Sequence, residues 1–460
     1  MDSRRILPGE AFIAVKGGST HGMRYAAEAE RNGACVIIHD GLAQLPALGI
    51  PAVCVENLGR ILSAVGARFF HDPSDQLTVV GVTGTNGKTS TAHFIAQAWQ
   101  RTAGNAGLIG TIGYGVLSRL SKSDLTTPDP ISVQKMLAEC IDQGVERVAM
   151  EVSSHALEQD RCANVTFAAA VLTNLTRDHL DYHRTMERYG AAKRKLFVDY
   201  QPRFCIVNAD DEFGRELIAE LKGRVEVLSY GTNGSAEVRA AVLEMNTSGM
   251  VLRVTSPWGE GQLHTGLLGR FNVSNLLAAA GSLALLGMAW GDVMHQLELM
   301  HPVPGRMHCL GGEHNQPLVV VDFAHTPDAL DHALTALRAH LHGRMICVFG
   351  CGGDRDRGKR PMMAAVAERL ADRIVLTTDN PRSESPQHIF ADMLAGIKCS
   401  RDVQVITDRS AAIRQAILES RPGDIVLVAG KGHETYQEAN GVRVPFSDEA
   451  AVRAVLEEAA

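Results

Sequence analysis

Six residues, Gly84-Thr85-Asn86-Gly87-Lys88-Thr89, carry the sharpest chemical signal in the chain. They follow an apolar run, LTVVGVT, and precede a helix-like stretch, TAHFIAQAW. A glycine-rich turn between strand and helix lets backbone N–H groups wrap around phosphate oxygens, and the helix start adds partial positive charge. Lys88 can neutralise phosphate charge, while the hydroxyl of Thr89 can ligate a magnesium ion. The usual phosphate-loop spacing puts a glycine at the position taken here by Val82; the nearest glycines are Gly81 and Gly84. A tight turn with a surface lysine is the plainer alternative, and the strand–loop–helix context argues against it.

Further polar clusters follow other apolar runs. Glu151 closes VAMEV, and a hard carboxylate there can complete a magnesium site begun by Thr89 or simply form a strand-end ion pair. His179 lies in NLTRDHLDYH with Asp178, Asp181 and His183; spacing alone leaves structural and metal-binding roles open. Lys193, in YGAAKRKLF, reads plainly as a solvated helix lysine. Asn272 and Asn275, in GRFNVSN, have amides that can pair with an adenine edge, or Asn272 can cap the helix that follows. In DNPRSESP, Asp379 and Asn380 can receive an amino-acid head and Arg382 can pair bidentately with a carboxylate.

These clusters need a scaffold that brings strand ends together. Short continuous apolar runs alternate with helical stretches, the pattern of parallel strands covered on both faces. An α/β fold follows, and in open parallel sheets ligands bind beyond the carboxyl ends of the strands. Hydrophobic residues make up 45% and charged residues 21%, an ordinary globular balance over 460 residues. That length suits about three domains. Turn-rich stretches at HDPSD (71–75) and HPVPGR (301–306) read as linkers, giving domains 1–74, 75–302 and 303–460. A net charge of −7 argues against nucleic-acid binding. The nine cysteines include no CxxC pair, which suits a reducing, cytoplasmic setting, and Cys347 and Cys351 read as core thiols. MDSRRILPGE has no apolar stretch behind it and no run of 18 apolar residues exists, so neither leader nor membrane span is expected.

TGTNGKTST, DNPR, GKGHETYQ and FSDE together resemble the Mur ligase family, and the likeness runs from DSRRILPG to the last of these motifs. The resemblance implies a three-domain architecture, with a UDP-binding N-terminal domain, a central P-loop-type ATP-binding sheet and a Rossmann-like C-terminal domain that brings the amino acid. It implies an ATP-dependent ligase that activates a UDP-sugar dipeptide as an acyl phosphate and joins it to meso-diaminopimelate, in peptidoglycan precursor synthesis. Two Mg²⁺ are expected, with Thr89, Glu151, His179 and Lys193 as ligands, Lys193 carrying a CO₂-derived carbamate. Catalytic roles fall to Lys88, Lys193 and His179. Gly84 to Ser90, Asn272, Arg306 and His325 match ATP contacts, with Asp322 orienting the last of these.

The resemblance also matches Ser3, Thr126, Thr127, Ser153 and Arg161 to the sugar-peptide, with His21 a weaker candidate. Arg355, Asp379, Asn380, Arg382, Gly430 and Glu434 match diaminopimelate contacts, Glu434 facing the distal ammonium. Lysine-adding relatives lack the arginine of DNPR. The chain begins two residues before Ser3, where family members carry a longer lead-in, so either a shortened UDP domain or a start assigned late is expected. A monomer that closes its third domain over the ATP site is the working picture. The alternatives are a folylpolyglutamate-type synthetase, which lacks DNPR and the UDP domain, and a nucleotide-driven switch, which needs only the phosphate loop.

Overall fold

A computed structural model of the chain describes residues 2–17, 20–41, 47–123, 125–312, 316–399 and 402–458. It comprises two compact units, Met1–Val207 with Asp211–Leu228, and Asn208–Asp210 with Ser229–Ala460.

The first unit opens with three parallel strands, β1 (Ala11–Ala14), β2 (Val36–His39) and β3 (Ala52–Cys54), in that spatial order. Phe12, Met23, Ala26, Ala29 and Ile37 form its small core. HDPSD is not a loose linker. Its Ser74 is buried and accepts a hydrogen bond from Thr166 N at 3.0 Å, while Asp75 accepts one from Thr166 Oγ1 at 2.7 Å.

A larger sheet then forms from β4 (Thr78–Thr83), β5 (Ala106–Gly110), β6 (Gly113–Val116), β7 (Arg147–Glu151), β8 (Ala169–Leu172) and β9 (Phe204–Asn208). Their spatial order is β9-β8-β4-β7-β5-β6, and only β6 is antiparallel to its neighbour. β5, β7, β8 and β9 are almost wholly buried along their lengths, which explains their unbroken apolar runs. The chain order reverses across β4, which lies between β7 and β8. The carboxyl end of β4 therefore opens into a topological switch point, and Gly84–Thr89 leaves from there.

The chain enters the second unit within β10 (Glu226–Gly231). An antiparallel meander follows, β11 (Val238–Asn246), β12 (Gly249–Ser256) and β13 (Gly259–Thr265). The apolar-run reading did not anticipate it, because its strands are half exposed and β11 carries a bulge at Val242/Glu244. The helix expected over 273–287 spans Phe271–Leu285.

A six-stranded sheet completes the unit, from β14 (His308–Gly311), β15 (Leu318–Asp322), β16 (Met345–Phe349), β17 (Arg373–Leu376), β18 (Val403–Val405) and β19 (Ile425–Ala429). The order is β14-β15-β19-β16-β17-β18, parallel except for β14. Helices Pro327–Arg338, Lys359–Leu370 and Pro386–Leu394 cover one face, and Arg409–Leu418 and Asp448–Glu458 cover the other. Strands β15, β16, β17 and β19 bring Asp322, Gly350, Asp379 and Gly430 to one sheet edge. A hairpin, β20 (Tyr436–Ala439) with β21 (Val442–Pro445), borders that edge through the bridge from Ala439 to Arg382. HPVPGR is packed too: at Gly305 (φ +70°) a Cβ would overlap the backbone of His433. Cys347 and Cys351 are buried, as expected, and all nine cysteines are free thiols.

Candidate functional site

The phosphate loop is shaped by its neighbour strand as much as by its own glycines. Gly84 has φ +150°, and a Cβ there would overlap the Thr173 hydroxyl. Thr173 Oγ1 donates to Asn86 O at 2.6 Å and Thr83 O at 3.2 Å. Asn174, next in line beyond β8, accepts from Asn86 N at 3.0 Å through its side chain and from Thr85 N at 2.9 Å through its carbonyl. Gly87 (φ +84°) then starts helix Lys88–Ala103. Lys88 Nζ folds back onto Gly84 O and Thr85 O, 2.7 Å from each, which holds its ammonium over the loop.

Thr89 Oγ1 donates to Glu151 Oε2 at 2.7 Å, and Thr111 N donates to Glu151 Oε1 at 2.7 Å. Burial pushes the Glu151 carboxyl up, against the pull of the Thr89 and Thr111 hydrogen bonds and of Lys88. Among the described residues no group of three or more His, Cys, Asp or Glu could hold a metal ion alone. Mg²⁺ asks for less, since it keeps waters and phosphate oxygens and takes one or two protein oxygens. The paired Thr89 and Glu151 oxygens fit that demand.

Tyr189 ties three candidate groups together, and the sequence reading missed it. Its hydroxyl is 3.1 Å from Thr85 Oγ1, its ring lies 4.4 Å below Lys193 Nζ, and its centroid is 6.0 Å from that of His179. Lys193 is 1% exposed, against the solvated reading of its sequence context. Burial, then the charge of Lys88, holds its amine well below the usual lysine range, and Asp178 opposes them. His179 has φ +52° and stacks edge-on with His155 at 5.0 Å.

The sugar-peptide candidates gather around the end of β7. Thr127 Oγ1 donates to Glu151 O at 2.8 Å and accepts from Ser153 N at 3.0 Å. Arg161 Nη1 donates to Thr127 O at 2.7 Å, and Thr126 Oγ1 lies 3.0 Å from Thr111 Oγ1. Ser153 also caps helix Ser154–Glu158. Ser3 and His21 belong to the three-stranded module, with hydrogen bonds to Glu28 at 2.6 Å and Asp40 at 2.6 Å.

In the second unit, the acceptor candidates converge. Asn380 Nδ2 donates to Glu434 Oε2 at 2.9 Å, and Asn380 Oδ1 accepts from Glu438 N at 2.9 Å. Gly430 (φ +114°) passes so close that a Cβ would stand 2.8 Å from Asp379 Oδ2. Arg382 also has positive φ (+50°); its N donates to Glu438 O at 3.0 Å and its Nη1 to Gly353 O at 2.7 Å. Arg355 is exposed on the same loop as Gly353. The fully buried Arg360 braces that loop, bonding Gly352 O at 3.1 Å and Glu384 at 2.8 Å.

Nearby, Arg306 stacks over Phe323 at 5.4 Å, and the His325 and His433 rings flank Phe323 at 4.6 and 5.2 Å. Asp322 accepts from Met307 N and Ala324 N, both at 2.8 Å, and so holds the segments that carry Arg306 and His325. Asn272 is not a helix cap: Arg270 holds that position, and the buried Asn272 amide donates to Leu268 O at 2.8 Å and accepts from Asn275 at 3.0 Å. Lys431, Gln437, Phe323 and His433 were also overlooked. GKGHETYQ contained three of them, and only its glycine and glutamate had been singled out.

Residues 82–283 match the Mur ligase middle domain, and residues 305–432 match the Mur ligase glutamate ligase domain. The chain is 49% identical to the UDP-N-acetylmuramoyl-L-alanyl-D-glutamate–2,6-diaminopimelate ligase of Chromobacterium violaceum, over 97% of this chain and 91% of that one. It is 47% identical to the Coxiella burnetii protein of the same name, over 97% and 93%. A solved structure of a ligase so named superposes with a TM-score of 0.75 at 35% identity, covering 100% of this chain and 94% of the other.

Proposed function

The chain belongs to the Mur ligase family, and we propose that its two clusters serve one reaction, the ATP-dependent addition of meso-diaminopimelate to UDP-N-acetylmuramoyl-L-alanyl-D-glutamate. It is a ligase of peptidoglycan precursor synthesis. The observation that carries the choice of acceptor is Arg382, held in a left-handed conformation beside Asp379, Asn380 and Glu434. A guanidinium and a carboxylate presented from one sheet edge suit an amino acid with an additional carboxylate and an additional ammonium.

On this reading the donor carboxylate attacks the γ-phosphorus of ATP, and the bond to the β–γ bridging oxygen breaks to release ADP. The acceptor amine then attacks the acyl carbon, loses a proton and expels phosphate. Lys88 and the loop N–H groups offset charge on the phosphates. Glu151 and Thr89 would hold Mg²⁺, which when bound neutralises the same charge. Lys193, whose amine burial holds well below the usual lysine range, would add CO₂ and release a proton, and the resulting carbamate would share the Tyr189 ring with His179. Thr126, Thr127, Ser153 and Arg161 would grip the sugar-peptide, with Ser3 at its uridine end. Asn272, Arg306 and His325 would meet ATP. Residues 1–74, 75–302 and 303–460 serve the UDP, ATP and amino-acid ends. Little covalent chemistry falls to the protein, so positioning dominates.

Phosphate release measured with donor and ATP, plus either diaminopimelate or lysine, tests the reading. Release and product are expected with diaminopimelate and not with lysine. Release independent of donor and acceptor would overturn it in favour of a nucleotide switch.

A further inference from the structure

Lys431 has no part in the chemistry above, yet its side chain is fully buried at the centre of the acceptor cluster. It sits between Gly430 (φ +114°) and Gly432 (φ +54°), and a Cβ on the latter would stand 2.7 Å from the Phe323 Cβ. The backbone around Lys431 is therefore tightly held. Its Nζ donates to Glu434 Oε2 at 2.9 Å and to Asn380 Oδ1 at 3.2 Å, and lies 3.9 Å from Asp379 Oδ1. A buried ammonium is tolerated when its donors meet acceptors of this kind.

Two features set it apart from a tie between loops. First, Glu434 Oε2 receives both Lys431 and Asn380, so one oxygen of the carboxylate takes both of these bonds. Second, the charges nearly cancel. Asp379, Glu434 and Asp448 supply three carboxylates, while Lys431 and the fully buried Arg409, paired with Asp448 at 2.6 Å, supply two cations. Fully ionised, these five groups keep one negative charge, and Arg382, on the segment that follows Asn380, supplies a further cation.

We propose that Lys431 is a positioning residue for the acceptor: it orients Glu434 and Asn380 and, with Arg409, offsets the carboxylates of Asp379, Glu434 and Asp448. This rests on the acceptor reading given above. Burial pushes the Asp379 carboxyl up, and Arg409 and Lys431 pull it back against Glu434 and Asp448. Cys351, itself buried, is a further titratable group near Asp379, and Arg382 follows three residues along the chain. Loss of Lys431 removes one of the two pulls, so Asp379 would ionise only at higher pH.

The test is steady-state kinetics of the full-length enzyme across about pH 6 to 9. Wild type, Lys431→Met and Lys431→Arg are compared for KM of diaminopimelate, ATP and UDP-sugar dipeptide. Lost hydrogen bonds to a charged group predict a rise of about tenfold or more in the diaminopimelate KM of Lys431→Met, with the other two KM values within about twofold. The acid limb of kcat/KM for diaminopimelate should move up by about half a pH unit or more, and Lys431→Arg should restore most of it. An unchanged acceptor KM and acid limb, or three KM values rising in step, would overturn the proposal. Should Lys431→Met not fold, Lys431→Gln is judged by the same two criteria. A wild type that makes no product with diaminopimelate refutes the activity; a wild type matched by the variant refutes only the role of Lys431.

Discussion

Gly84→Ala tests whether the strand beside the phosphate loop sets the loop's shape. The new Cβ would overlap Thr173 Oγ1 and sit 3.0 Å from Asn174 N, at a φ of +150°. Thr173 must then rotate, releasing its bonds to Asn86 O and Thr83 O. Both bonds draw on the one hydroxyl hydrogen and together are worth about 1 kcal/mol, and the backbone strain adds about 1–3 kcal/mol. The sum, about 2–4 kcal/mol, is a large share of an ordinary folding free energy of about 5–15 kcal/mol. Thermal unfolding should fall by on the order of 10 °C. Calorimetric ATP affinity should weaken in parallel, because the loop loses the anchor on the Asn86 carbonyl that helps fix its shape. Thr173→Ala loses the same two bonds without the clash, so the double variant should cost less than the two single changes added. A Gly84→Ala protein with wild-type stability and ATP affinity, or strictly additive costs, would refute the reasoning.

Glu151→Gln should raise the Mg²⁺ concentration needed for half-maximal activity, read by titration at fixed ATP. It should also change the pH dependence of stability. Burial raises the folded-state pKa of Glu151. The unfolded chain therefore ionises first as pH rises, and stability is lost until the folded pKa is reached. Urea unfolding should show the variant gaining on wild type between acid and neutral pH, and a constant difference would count against it. Lys193→Arg should abolish any stimulation by bicarbonate, and a carbamate resonance from ¹³C-bicarbonate should appear in wild type alone; no resonance in wild type removes the idea. Its depressed pKa means the neutral amine becomes available as pH rises through a range well below that of an ordinary lysine. Arg382→Ala should raise the diaminopimelate KM by about 10–100-fold, the worth of a charge-assisted pair, with the ATP KM nearly unchanged; equal losses would argue for a structural role.

The parallel strands, the glycine-rich turn at 84–89 and the placement of the DNPR segment at a strand end were legible in the sequence because each rests on local rules. Unbroken apolar runs report strands buried on both faces, a glycine pair between strand and helix reports an anion-binding turn, and DNPR is contiguous. The antiparallel meander was hidden by half-exposed strands and a bulge. The two expected linkers proved to be packed turns, since Ser74 and Gly305 make their contacts with segments far along the chain. The same distance concealed the supporting residues. Thr173 and Asn174 clamp a loop about ninety residues before them, Tyr189 joins Thr85 to Lys193, and Lys431 reaches back to Asn380. The sequence by itself determined which chemistry-bearing groups exist and which strands deliver them, through periodicity and backbone preference. Only the tertiary structure decided which of those groups are buried together, because dehydration and shared hydrogen bonds depend on neighbours that the chain order does not specify.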